Sequence, residues 1–287
     1  MPFDNYDFED AYKKQCADLS EWEMERLLKE GKVNCLYRTA TTKSVNRKSG
    51  HTILEAQIYP SFRHPKDVPR TGRKKESCPA QRNLNDKYAR RYLIRLVNIN
   101  FGDGDIWATF GWNDDLLPED TEGAKRDITN FVRRIDARRK KKHRPNIKYI
   151  YILAFDGYER PHFHIVMTGD GVDRDELESI WGKCDRPNTR RIKIKDAFLL
   201  TGMATYITQN PHGTKRWCSS RNLEKPSPPT KSYRKFTRAA VVRMARNTAS
   251  LETELQKAYP EYTFRDAEVH YNGITAAFYI YARMTRN

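Results

Sequence analysis

The stretch Ile147–Gly169, IKYIYILAFDGYERPHFHIVMTG, decides the fold. Its first part, IKYIYILAF, is rich in isoleucine and tyrosine and is bounded by the turn-forming pairs Pro145–Asn146 and Asp156–Gly157, which predicts a strand. PHFHIVMTG repeats the strand character after a short turn, so the two read as an antiparallel hairpin. On the second strand His162 and His164 stand two residues apart. They therefore project from one face, with Phe163 and Ile165 on the other.

Working upstream, IWATFGW (106–112) reads as a strand entered through the turn GDGD. EDTEGAKRDITNFVRRIDARRKKK (119–142) reads as a helix with Ile128, Phe131, Val132 and Ile135 on one stripe and a basic C-terminal end suited to the helix dipole. Before these, NLNDKYARR (83–91) predicts a short helix with Asn83 or Asn85 as cap, and YLIRLVNINF (92–101) predicts a strand. HTILEAQIYP (51–60) has strand character, RHPKDVPRTGRKKES (63–77) reads as a loop, and DLSEWEMERLLKEGK (18–32) reads as a helix capped by Ser20 and closed by Gly31.

Downstream, RDELESIWGKC (174–184) predicts a helix ending near Gly182, RRIKIKDA (190–197) a basic strand and AFLLTGMATYITQN (197–210) a helix. A loop follows from Pro211. A helix over about residues 237–258 then precedes two strands, EYTFRDAEVHY and AAFYIYARM, on either side of Asn272–Gly273. Hairpins mixed with helices point to an α+β fold, an antiparallel central sheet with flanking helices. The expected organisation is an N-terminal region, 1–80, accessory or DNA-binding, and a main domain, 81–287, without internal repeats.

Composition narrows the partner. The 287 residues carry a formal net charge of +16, and 31% are charged. So basic a chain usually faces a polyanion, since each neutralised phosphate releases a counterion; simple solubility is the bland alternative, and a ribosomal or RNA-binding protein fits as well. Cys16, Cys35, Cys78, Cys184 and Cys218 are five in number and lack a C-x-x-C pair, which argues against a disulfide framework or a cysteine-rich zinc site. No apolar run has membrane-spanning length, and the acidic, aromatic start MPFDNYDFEDAY is not a signal peptide. No G-x-x-x-x-G-K-[ST] motif occurs, so any strand unwinding falls to a partner.

Three groups of residues carry candidate chemistry. The same-face histidines suit two nitrogen ligands on one divalent ion, or they are two half-exposed strand histidines. Tyr206, in GMATYITQN, is a nucleophile or a packing residue. The basic runs Arg138, Arg139, Lys140, Lys141 and Lys142, then Arg190, Arg191, Lys193 and Lys195, then Lys215, Arg216 and Arg221 with Trp217 among them, are phosphate-contacting surfaces or solvated faces.

Taken in order, these motifs resemble the HUH endonuclease family, and within it the replication initiators of small bacterial plasmids and phages. PHFHIVM is similar to the His-hydrophobic-His motif. MATYITQN followed by KRWCSSRNLEKP resembles the catalytic-tyrosine helix and the segment after it. QRNLNDKYARRYLIRLVNINF with IWATFGW resembles the upstream helix and first-motif hairpin, and AAFYIYARM the C-terminal strand. The resemblance is strong over residues 80–287 and weaker over 34–80, where NCLYRTATTKS and ILEAQIYPSF carry it.

The resemblance implies rolling-circle initiation by a tyrosine nickase and strand transferase. A relaxase or single-strand transposase would use the same chemistry, and a non-catalytic DNA- or RNA-binding protein is the reading outside it. Tyr206 would attack a phosphodiester in single-stranded or locally melted origin DNA, giving a 5′-phosphotyrosine and a free 3′-OH. Mg²⁺ or Mn²⁺ would be held by His162 and His164. Host helicase and polymerase are the implied further partners, in a bacterial cytoplasm. Three departures stand out. Gln209 occupies the place of the family's lysine three residues after the tyrosine, with Lys215 as substitute. Ala154 occupies the place of a third ligand, with Asp156, or in reserve Glu159, taking that role. Gly111 stands where a second first-motif threonine is usual; Thr109 is kept, and reads as part of a core strand.

Overall fold

A computed structural model describes residues 36–61, 79–155, 160–207, 217–232, 234–272 and 277–286. The chain is of the expected α+β class and contains two antiparallel five-stranded sheets. Its contacts divide into two compact units, one drawn from described residues of 36–44, 51–91 and 227–286, the other from 45–50 and 92–226.

The first unit holds β1 (Leu36–Val45), β2 (Thr52–Ser61), β8 (Thr230–Ser232), β9 (Thr263–Asn272) and β10 (Ala277–Arg286), in the order β8-β1-β2-β10-β9. Helices α5 (Arg238–Arg246) and α6 (Thr248–Ala258) close its core, where Val241, Met244, Leu251 and Leu255 meet Leu54, Ile58, Ile280 and Met284. The single helix expected over 237–258 is two. Asn247 adopts extended backbone between them and its side chain accepts from Ser250 N, capping α6, a role for which asparagine is well suited. β10 pairs along β2, so this unit joins stretches from distant parts of the chain.

The second unit carries β3 (Ile106–Gly111), β4 (Tyr149–Ala154), β5 (His162–Met167), β6 (Asn188–Arg191) and β7 (Cys218–Ser219), in the order β6-β3-β5-β4-β7. The predicted hairpin is β4–β5, and it lies inside the sheet. Alternation decides its two faces. Phe163, Ile165 and Met167 enter one core with Phe110 and Ile106, covered by α2 (Thr121–Lys141) through Ile128, Phe131, Val132 and Ile135, and by α3 (Arg174–Trp181) through Leu177, Ile180 and Trp181. Gly182 closes α3 with φ 58°, the left-handed conformation glycine adopts without strain. On the opposite face Trp107, Ile150, Ile152 and Val166 pack with Leu93, Leu96, Val97 and Phe101, with Leu200, and with Ala204 of α4 (Thr201–Ile207).

Three expectations need correction here. YLIRLVNINF is no strand; it is the second half of one helix, α1 (Pro79–Asn100). Leu93, Leu96 and Val97 are buried at i, i+3 and i+4, the helical period, and the apolar content of the stretch hid it. RRIKIKDA contributes only its first two residues to β6, and α4 begins at Thr201 rather than Ala197. The predictions for residues 18–32 and 63–77 lie outside the described residues.

Candidate functional site

In an antiparallel sheet, directly paired residues share a face. The register therefore sets three rows of side chains beside one another: Gly111, His162 and Ala154; Asn188, Thr109, His164 and Ile152; Arg190, Trp107, Val166 and Ile150. Helix α4 packs on this same face through Ala204 and brings Tyr206 over it. The Tyr206 and His164 rings lie 6.0 Å apart between centroids, edge to face, and the two histidine rings 5.0 Å apart. All three line a cleft of about 1340 Å³. The same-face geometry expected for His162 and His164 is thus present.

Each imidazole is oriented by what its Nδ1 touches. His162 Nδ1 lies 2.9 Å from the Arg160 carbonyl oxygen; a carbonyl only accepts, so Nδ1 carries the proton and Nε2 the lone pair. His164 Nδ1 lies 2.8 Å from Thr109 Oγ1, and its ring stacks on Trp107 at 5.7 Å. The His164 pKa is lowered to about 4, by burial first and then by the neighbouring His162. It is neutral at pH 7, the form that binds metals.

Two imidazoles are nitrogen donors of the kind a borderline divalent cation takes. Among the described residues no group of three or more His, Cys, Asp and Glu gathers. Ala154 sits directly opposite His162 on β4 and has nothing to ligate with. Asp156 and Glu159 lie outside the described residues, as do Gln209, Lys215 and Arg216.

The cleft wall is basic. Arg186, Arg190, Lys193 and Lys195 line it and have no hydrogen-bond or ion-pair partner among the described residues. The acids nearby are engaged: Asp185 accepts from Asn113 Nδ2 and Asp196 from Phe198 N. Arg160 is paired with Asp114 and donates to the Trp112 carbonyl. Arg191, though exposed, spends its guanidinium on the carbonyls of Gly104, Gly169 and Val172.

The basic end of α2 is placed elsewhere, since α2 covers the opposite sheet face. Arg138 pairs with Glu176 at 3.0 Å. Arg139 is only 3% exposed and donates to the carbonyls of Pro145 and Asp170; it holds the helix end to the following loop instead of meeting solvent. Lys141 and Arg221 are exposed and line no part of the cleft. Trp217 is half-buried, packing against the second core and stacking on Tyr92 at 6.5 Å.

Sequence inspection missed Trp107, Arg186 and Asn188, and took Thr109 for core. The alternation of β3 held the signal: Ile106, Ala108 and Phe110 are buried, so Trp107 and Thr109 face the other way. Only the cross-strand register shows that this way leads to His164.

Among the described residues no helix is long and apolar enough to cross a membrane. Comparison of the chain with protein-family models, with curated proteins and with solved structures returned no match.

Proposed function

We propose that this chain nicks and rejoins single-stranded DNA through Tyr206, as a rolling-circle replication initiator does. The observation that carries this reading is the placement of Tyr206. It is 62% exposed, so it is no packing residue, and it stands edge-on to His164 in the cleft. An accessible phenol, two imidazoles and four cations without side-chain partners among the described residues, all in one cleft, suit attack on a phosphodiester.

In that reaction the Tyr206 oxygen forms a bond to phosphorus and loses its proton. The phosphorus–O3′ bond breaks, and the 3′ oxygen leaves and is protonated. The product is a 5′-phosphotyrosine beside a free 3′-OH, and the reverse attack by a 3′-OH restores the phosphodiester. Arg186, Arg190, Lys193 and Lys195 neutralise the strand along the cleft wall. A bound Mg²⁺ or Mn²⁺, held by His162 and His164, would polarise the phosphate and stabilise the leaving oxygen. Origin DNA, host helicase and polymerase remain the partners of this reading, and a relaxase or transposase would share its chemistry.

The test is a gel assay with labelled single-stranded DNA and Mn²⁺, comparing wild type, Tyr206→Phe and His162→Ala. Label shifted onto wild-type protein and lost in both variants supports the nickase. Cleavage persisting in Tyr206→Phe moves the nucleophile elsewhere. Binding without cleavage in wild type leaves a nucleic-acid-binding protein whose histidines are structural.

A further inference from the structure

We infer that Asn188 is a specificity-determining residue of the cleft, reading the base of a nucleotide next to the phosphate at His164. The inference rests on single-stranded nucleic acid occupying the cleft, and not on cleavage. Asn188 lies on the edge strand β6, paired with Thr109, which is paired in turn with His164. Two strand spacings of about 4.8 Å separate Asn188 from His164, within the reach from a phosphate to its own base. The side chain is exposed, lines the cleft, and has no hydrogen-bond partner among the described residues.

Its neighbours on the wall have a different chemistry. Arg186, Arg190, Lys193 and Lys195 are donors only, suited to phosphate or to the paired acceptors of guanine, and cannot accept from a base amino group. The Asn188 carboxamide offers a donor and an acceptor side by side, which matches an amino group next to a ring nitrogen, as in adenine. The strand beneath it is held still. Thr189, pointing to the other face, donates its hydroxyl to Glu178 and its carbonyl accepts from Arg174. A reading group on a clamped strand discriminates better than one on a loose loop.

The experiment is selection of bound single-stranded oligonucleotides from a randomised pool. Both arms carry Tyr206→Phe, so that binding alone is read; one also carries Asn188→Ala. The expected result is one position enriched for adenine by about ten-fold in the first arm and evenly occupied in the second, other positions unchanged. Selection left intact by Asn188→Ala, weakened evenly at all positions, or absent from the first arm overturns the inference. Absence of any single-strand binding overturns the proposed function with it, whereas binding and selection without cleavage sink the nickase and leave Asn188 standing.

Discussion

Four groups surround His164: Thr109 at Nδ1, Trp107 stacked on the ring, and the rings of His162 and Tyr206 in edge-to-face arrangement with it. Thr109→Val keeps the side-chain shape and deletes the hydrogen bond. Loss of such an orienting contact should weaken Mn²⁺ binding about ten-fold or more, measured by calorimetry, while Thr109→Ser should retain it. Equal affinity in the valine variant would show that the stacking on Trp107 suffices. The same environment gives a pH dependence. With metal chelated, the imidazole of His164 should titrate near its lowered pKa of about 4, read from its ring proton resonances. His162→Ala removes the neighbouring charge and should raise that midpoint, though burial still holds it low. The unfolded chain takes up this proton near 6.5 and the folded one only near 4. Stability on this account is full above 6.5 and falls as the pH drops from 6.5 towards 4. His162 and His164 were legible as a same-face pair because strand periodicity is a two-residue rule. The partners of their Nδ1 atoms were not, because one is a main-chain carbonyl and the other belongs to a different strand.

At the scale of elements, legibility followed the range of the contacts that decide each one. The β4–β5 hairpin, α2 and α3 carry local signals of alternation, apolar stripe, cap and closing glycine, and they stand where the sequence predicts. Residues 92–101 were misread because the order of their isoleucines, leucines and valine suits either structure. The decision comes from distant partners: Asn98 donates to Thr201 and accepts from Leu200 N, and Asn100 exchanges bonds with the backbone of Glu224. Glycines offer a contrasting pair of predictions. At Gly169, just beyond β5, an added Cβ would lie 2.0 Å from the Gly104 carbonyl oxygen and 2.8 Å from Asp105 Cα. Those are backbone atoms that cannot swing aside. Gly169→Ala should cost about 3 kcal/mol and lower the urea midpoint. At Gly202, in α4, an added Cβ meets nothing within 4 Å, and alanine should stabilise by about 0.5–1 kcal/mol. A destabilised Gly202→Ala would mean that α4 needs a backbone conformation alanine resists.

For the whole molecule the charge of +16 suits the nucleic-acid partner of the proposed function without locating the surface that would use it. The basic runs are conspicuous in the sequence, yet the structure treats them unequally. Arg138 is in an ion pair, Arg139 is buried, and Arg191 is bonded to three carbonyls. The cleft cations whose side chains have no partner among the described residues are Arg186, Arg190, Lys193 and Lys195. Four phosphate contacts on a single strand predict a slope of about −3 in log affinity against log salt, or about a fifty-fold loss from about 50 to about 200 mM. Replacing Arg190 and Lys193 by alanine removes two contacts. The slope should then halve to about −1.4, and the same rise in salt should cost only about seven-fold. Arg138→Ala together with Lys141→Ala, on the far side of the sheet, should leave the slope within error of wild type. Fluorescence anisotropy with a labelled oligonucleotide at several salt concentrations measures all three proteins. Should the α2 pair flatten the slope and the cleft pair not, the nucleic acid lies over the opposite face, and Tyr206 is too far from it to be a nucleophile.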